Sequence, residues 1–147
     1  MIAALALADR LDEGAILAMH EALLAQVQPD IAGRRREVQV WIGGDSFGPH
    51  GAAFTPPHPD HVPALMADLV KFTQRTDLPV LSQAAIAHAQ FETNLPFPDG
   101  NGRTGRALIH AMLRGRGLTR IVTVPVSGRP PDGHEWIFRR LDRLPER

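Results

Sequence analysis

Leu95-Pro96-Phe97-Pro98-Asp99-Gly100-Asn101-Gly102-Arg103-Thr104-Gly105-Arg106 joins two segments that both carry helical apolar spacing. Gly100 and Gly102 allow a tight bend and bring backbone N–H groups close to a ligand. From about Arg103 the chain opens a helix, and a helix N-terminus attracts anions through its unpaired N–H groups and its dipole. Arg103 and Arg106 stand three residues apart, so they project from one face of that helix. Each guanidinium can hold phosphate oxygens with paired hydrogen bonds. Asp99 supplies a hard carboxylate of the kind that binds Mg²⁺ jointly with phosphates. Asp-Gly-Asn-Gly is also a good turn sequence, but a turn alone calls for neither the two arginines nor the Pro-Phe ahead of it. The stretch reads as a cradle for a metal-bound polyphosphate.

Working outward, the preceding helix runs from about Val80 to Thr93. It is apolar on most sides and rich in alanine, which implies a central, buried helix. His88 and Glu92 lie on it at i,i+4, and His88 reads as a buried structural histidine. The following helix, from Arg103 to about Arg116, carries Leu108, Ile109, Met112 and Leu113 as its apolar stripe, and Gly115 and Gly117 stop it. Earlier, Asp60 to about Arg75 has Val62, Leu65, Met66, Leu69, Val70 and Phe72 on one side. The first amphipathic helix spans about Asp12 to Gln26, with Asp12 as cap and Ile16, Leu17, Met19, Leu23 and Leu24 as its stripe. His20 on it reads as a packed or surface histidine rather than a ligand.

Between the first two helices the chain is less regular. Pro29 to Arg36 is a connection ending in three arginines, and Arg35 and Arg36 read as part of a solvated charge run. Val38-Gln39-Val40-Trp41-Ile42 and Ala52-Ala53-Phe54-Thr55 read as two short strands able to pair as a hairpin, with Trp41 as a core aromatic. His50, His58 and His61 cluster around prolines and read as loop histidines. At the C-terminal end, 119–126 reads as extended or as a short helix, 127–133 as a break, and 136–141 as an amphipathic turn or two.

At 147 residues the chain suffices for one domain with a real core. Sixteen basic residues balance sixteen acidic ones, so no strong field draws it to nucleic acid or a membrane surface. With no cysteine there is no thiolate chemistry or disulfide framework, which is compatible with a reducing cytoplasm. The apolar start, Met1 to Ala8, is too short to span a bilayer and lacks a basic leader region, so it reads as a helical packing segment. The oligomeric state is not legible.

Phe91 to Arg106 resembles the signature of the Fic family, H-P-F-x-[D/E]-G-N-[G/K]-R-x-x-R. Gly33-Arg34, Trp41-Ile42-Gly43 and Phe54-Thr55-Pro56-Pro57 are similar to the family pattern around its flap hairpin. The resemblance covers about 11–128 and then fades, with a divergent or truncated C-terminal part. It implies a mainly α, helical-bundle fold with a short β-hairpin flap, in one domain. It also implies transfer of AMP from ATP to a hydroxyl of a target protein. By motif position Asp99 would bind Mg²⁺. Gly100, Asn101 and Gly102 would form an anion hole, and the Asn101 side chain would reach the α-phosphate region. Arg103 and Arg106 would hold phosphates, and Phe97 would anchor the loop in the core. Phe54, Thr55 and Pro56 would align the target segment by strand-like pairing. One departure bears directly on the transfer step: the family's leading histidine, which takes the hydroxyl proton, is Leu95 here. Leucine has no lone pair for a proton, so nucleotide binding is expected to survive better than transfer. The alternatives are an active transferase with altered chemistry or substrate, using a substrate already ionised, a water chain or another base such as Glu92 or His88, and a non-catalytic module binding a partner through the flap. The family's inhibitory [S/T]-x-x-x-E-[G/N] motif is not found in these residues.

Overall fold

The Asp12 side chain accepts a hydrogen bond from the Ala15 N–H at 2.9 Å and starts the first helix, α1 (Glu13–Leu24). This is the cap that the sequence places there. The computed structural model describes residues 11–44 and 48–119. After α1 comes a long irregular connection, then a single 3₁₀ turn at Pro59–His61 that leads into α2 (Val62–Thr73). Pro63 sits in the first turn of α2, where its missing N–H costs no intrahelical bond. Helices α3 (Val80–Asn94) and α4 (Asn101–Gly115) complete the fold's described part. The expectations for 1–8, 120–126, 127–133 and 136–141 lie outside the described residues.

Helices α3 and α4 form the closest pair, joined by the 95–100 loop, with α2 packed on α3 and α1 on α4. All four contribute to one core: Ile16 from α1, Val62, Met66 and Leu69 from α2, Ala84, Ala87 and Phe91 from α3, and Leu108 and Met112 from α4. Phe97 joins it from the loop and is fully buried, as the sequence implies. Alanines on the α3 side facing the core let the helices approach closely. Gln83 of α3 ties the end of α2, its amide donating to the Phe72 and Thr73 carbonyls at 2.8 and 3.1 Å. The architecture is mainly α, as expected.

Three local expectations are corrected. Helix α3 is not buried on all sides: Leu81 is 68% exposed and Ile86 51%. Apolar content overstates burial here, because only the 84, 87 and 91 face meets α2 and α4. The two extended runs do not form a paired hairpin within the described residues. A single antiparallel bridge joins Ile42 and Phe54, with reciprocal N–H···O bonds of 2.9 and 3.2 Å. Gly43 and Gly44, at φ 76° and 73°, turn the chain away on one side of the bridge. Pro56 and Pro57 lack the N–H groups to extend it on the other. Helix α4 begins at Asn101 rather than Arg103, because Gly100 completes the turn by itself.

Candidate anion-binding loop

Gly100 makes the turn that creates this site. Its φ of 75° is the left-handed conformation that glycine adopts without steric cost. A Cβ there would lie 2.8 Å from Leu24 Cδ1 and 3.3 Å from His20 Nε2. The first intrahelical bond of α4 runs from the Thr104 N–H to the Gly100 carbonyl at 3.0 Å. The amides of Asn101, Gly102 and Arg103 precede it and no side chain caps them. They are the unpaired donors that a helix N-terminus offers to an anion.

The charged groups surround this turn. Asp99 Oδ1 accepts from the Gly100 N–H at 2.6 Å, and its Oδ2 lies 3.6 Å from Arg103 Nη2. The Gly100 amide first, and the Gln28 side chain next, hold the Asp99 carboxyl below the usual carboxylate range. Arg103 is exposed, with 42% of its side chain accessible. Arg106 is half-buried, and its Nη1 would stand 3.5 Å from a Cβ on Gly102, so it reaches back over the turn. Among the described residues it makes no salt bridge. Asp99, Gly102, Arg103 and Arg106 are thus brought together at one helix end. The arrangement offers two guanidinium forks, unpaired amides and one ionised carboxylate. As a Mg²⁺ ligand Asp99 fits the case in which phosphates and water supply the remaining oxygens: its side chain is 54% exposed and ionised. Among the described residues no cluster of three His, Cys, Asp or Glu offers an all-protein metal site.

The Asn101 side chain turns into the loop itself. It is buried, with Oδ1 accepting from the Phe97 N–H at 3.0 Å and Nδ2 donating to the Phe97 carbonyl at 2.8 Å. An amide can pair both groups of one backbone residue in this way, and here it locks the loop on itself. One Nδ2–H and Oδ1 thus brace the loop, and the Asn101 backbone N–H joins the uncapped donors at the start of α4.

Leu95 closes α3 at the other end of the loop. It is left-handed, at φ 40° and ψ 63°, and 8% exposed. Its carbonyl accepts from Arg36 Nε at 2.7 Å. Arg36 is the largest departure from the sequence reading. It is 2% exposed, not solvated. Its guanidinium also donates to the carbonyls of Val38 at 3.2 Å, Pro57 at 2.5 Å and Asn94 at 3.4 Å. Its own N–H donates to the Pro96 carbonyl at 2.9 Å. A cation at the C-terminal end of a helix is favoured by the dipole, and carbonyl acceptors replace the water lost on burial. Arg36 so ties the end of α3 to the segment carrying Phe54, Thr55 and Pro56. Of these, Phe54 is half-buried in the bridge to Ile42, Thr55 is exposed and Pro56 is buried. Trp41 is half-buried and not in the core clusters. Nothing local distinguishes Arg36 from Arg34 and Arg35 in the sequence.

His20 is fully buried and takes part in the loop, a role its sequence position does not reveal. A signal for its burial is present: Ile16, His20 and Leu24 succeed one another at i,i+4 and all are fully buried. His88 and Glu92 line the α3–α4 contact opposite Gly105, where a Cβ would fall 2.5 Å from Glu92 Oε1 and 2.9 Å from His88 Nδ1. Their nearest atoms are 3.9 Å apart. That is an electrostatic contact, too long for a hydrogen bond, and both atoms lack a hydrogen-bond partner. His88 is half-buried rather than buried. Burial raises the Glu92 carboxyl above its ordinary range, against the opposing pull of His88 and Arg106. His50, His58 and His61 are exposed.

A helical pair whose connecting loop turns amides and guanidinium groups outward presents the donors that an anion needs. The Fic/DOC family pattern matches residues 10–113, and the chain belongs to that family. It is 33% identical over 124 residues to the protein adenylyltransferase fic-1 of Caenorhabditis elegans, covering 82% of this chain and 22% of that protein. It is 42% identical over 72 residues to a probable protein adenylyltransferase of Aquifex aeolicus, covering 48% and 22%. A Fic family protein from Desulfovibrio desulfuricans G20 superposes with a TM-score of 0.63 at 36% identity, over 78% of this chain and 35% of that one. Fic-1 of C. elegans superposes with a TM-score of 0.58 at 28% identity, over 74% and 30%. The chain thus spans about a fifth of the length of these sequence relatives. No helix among the described residues is long and apolar enough to cross a membrane.

Proposed function

We propose that this chain binds ATP with Mg²⁺ at the 99–106 loop, and that its AMP-transfer step is slowed by Leu95. The observation that carries the reading is the combination of uncapped amides at 101–103 with Arg106 folded back over Gly102. Asp99 would hold Mg²⁺, which supplies neutralisation of phosphate charge. Arg103 and Arg106 hold phosphate oxygens, and the α4 amides take the charge that develops on a phosphoryl oxygen. In the transfer, a target hydroxyl oxygen bonds to the α-phosphorus. The bond to the β-phosphate bridging oxygen breaks, pyrophosphate leaves, and the hydroxyl proton needs an acceptor. Leu95 provides none. The names of the relatives as protein adenylyltransferases support this class of reaction. The target would dock along Phe54, Thr55 and Pro56, which lead into Pro57, whose carbonyl Arg36 holds next to the end of α3. We take 11–128 as the core of one domain. The cysteine-free composition is compatible with work in the cytoplasm.

Calorimetric titration with ATP and Mg²⁺ tests the binding. Wild type is expected to bind, and Arg106→Ala to lose about tenfold or more, the scale of a charged hydrogen-bonding group. Absence of any nucleotide binding by wild type sinks the reading.

A second reading has its own observation. Glu92 lies one helical turn before Leu95, and burial moves it toward the pH at which a carboxylate works well as a general base. On that reading residual transfer by wild type disappears in Glu92→Gln.

A further inference from the structure

The two ring nitrogens of His20 are engaged in opposite senses. Nδ1 accepts from the Gly33 N–H at 2.9 Å, so it carries a lone pair and no proton. Nε2 lies 3.0 Å from the Asp99 carbonyl, which can only accept, so Nε2 carries the proton. Two backbone partners fix the tautomer. The ring also lies flat on Phe97, with centroids 3.8 Å apart and planes 7° from parallel. Its edge fills the space that a side chain on Gly100 would need. One imidazole therefore touches Phe97, Asp99 and Gly100, the residues that lead into the amides of α4.

We propose that His20, as its Nε2–H tautomer, is a positioning residue of the phosphate loop, holding the Asp99–Gly100 peptide in the orientation that sets both the Asp99 carboxylate and the start of α4. The step from ring to site is geometric. A trans peptide is planar, with C=O and N–H pointing in opposite directions. With the Asp99 carbonyl held toward α1 by His20, the Gly100 N–H points away from α1. That N–H donates to Asp99 Oδ1 at 2.6 Å. The bond to His20 thus determines where the carboxylate sits. The Asn101 amide staple on Phe97 fixes the same loop from two residues before Asp99 to one residue after Gly100. Together they preorganise the loop before a ligand arrives, which spares the ligand that ordering cost. His20 does not reach the ligand itself. The proposal rests on the nucleotide-binding reading for its consequence, but not for its geometry.

The test separates the two. In wild type without nucleotide, long-range ¹H–¹⁵N spectra are expected to show His20 protonated at Nε2 and bare at Nδ1. The opposite tautomer overturns the proposal, and this measurement needs no variant. Two substitutions then divide the ring's functions. His20→Gln places an amide donor near the Nε2 position, and His20→Asn places an acceptor near the Nδ1 position. His20→Gln is expected to keep the Gly100 amide shift and its exchange protection, and to bind ATP with Mg²⁺ within about threefold of wild type. His20→Asn is expected to lose the Gly100 protection and about tenfold in affinity, the scale of one or two hydrogen bonds. Equal losses in both variants, in step with their losses of stability, overturn the positioning role. If wild type binds no nucleotide, the functional reading fails, while the Gly100 amide still decides the role of His20.

Discussion

The loop between α3 and α4 has two ends, and both use left-handed backbone. Gly100, at φ 75°, does so as the residue for which that conformation carries no penalty. Leu95, at φ 40°, does so as a branched side chain that rarely adopts it. At the Gly100 end every local choice agrees: glycine at the turn, free amides after it, a carboxylate and two guanidinium groups around it. At the Leu95 end the backbone keeps a shape that the side chain does not favour, at a cost of about 1–2 kcal/mol. Among non-glycine residues histidine is enriched in this region several-fold. The backbone at position 95 is therefore better suited to the family's histidine than to the leucine present. On the proposed reading, the Gly100 end carries the groups that bind phosphate, and the Leu95 end lacks the proton acceptor that transfer needs.

The largest expected effect tests that contrast directly. Leu95→His should raise AMP transfer from labelled ATP by about 10²–10⁴-fold, the usual worth of a general base. Its unfolding free energy should change by less than about 1 kcal/mol, because the backbone already has the required conformation. Wild type transferring as fast as Leu95→His breaks the comparison, since the leucine end would then lack nothing.

The next effect concerns what holds the Leu95 end in place. Arg36→Met leaves the buried carbonyls of Leu95 and Asn94, and the part-buried carbonyl of Pro57, without this donor. Unsatisfied buried groups of this kind cost about 1–3 kcal/mol each where water does not reach them, so a loss of about 3 kcal/mol in urea unfolding is expected. Arg35→Met removes only an exposed pair with Glu13 and should change stability by about 0.5 kcal/mol or less. Equal losses in the two variants would mean that Arg36 does not clamp the loop.

That pair of arginines also marks how far the sequence could be read. The four helices were legible because apolar residues recur at helical spacing, and Asp12 was legible as a cap because capping is local. Phe97 was legible as an anchor by motif position. The grouping of Asp99, Gly102, Arg103 and Arg106 comes from one turn and one helix, so short-range rules place it. Arg36 and His20 were not legible in their roles. Their partners lie 58 or 59 residues away at Asn94 and Leu95, and 79 away at Asp99. No local pattern encodes a carbonyl that distant. The exposed side of α3 failed for a related reason: Leu81 and Ile86 have the composition of core residues, and only the placement of α2 and α4 decides which face is covered. The paired hairpin failed because alternation predicts strands, while Gly43, Gly44, Pro56 and Pro57 limit the pairing to one bridge.

The smallest effect asks whether the Leu95 end has acquired another proton acceptor. Glu92 is raised above its ordinary value of 4.5, first by burial, with His88 and Arg106 pulling the other way. The folded state therefore holds this proton more tightly than the unfolded state does. Stability rises with pH only where the unfolded state binds more protons, so here the sign is negative. The Glu92 contribution is fully present below pH 4.5 and is lost as pH rises through the folded-state value. Glu92→Gln does not titrate. The stability of wild type relative to Glu92→Gln should therefore fall from pH 4.5 upward and level off once the pH has passed the folded-state value, as measured by urea unfolding at a series of pH values. A relative stability that instead rises over this range means that His88 and Arg106 outweigh burial. Glu92 would then be ionised at lower pH and be a weaker base, and the Leu95 end would have gained no substitute for its missing histidine.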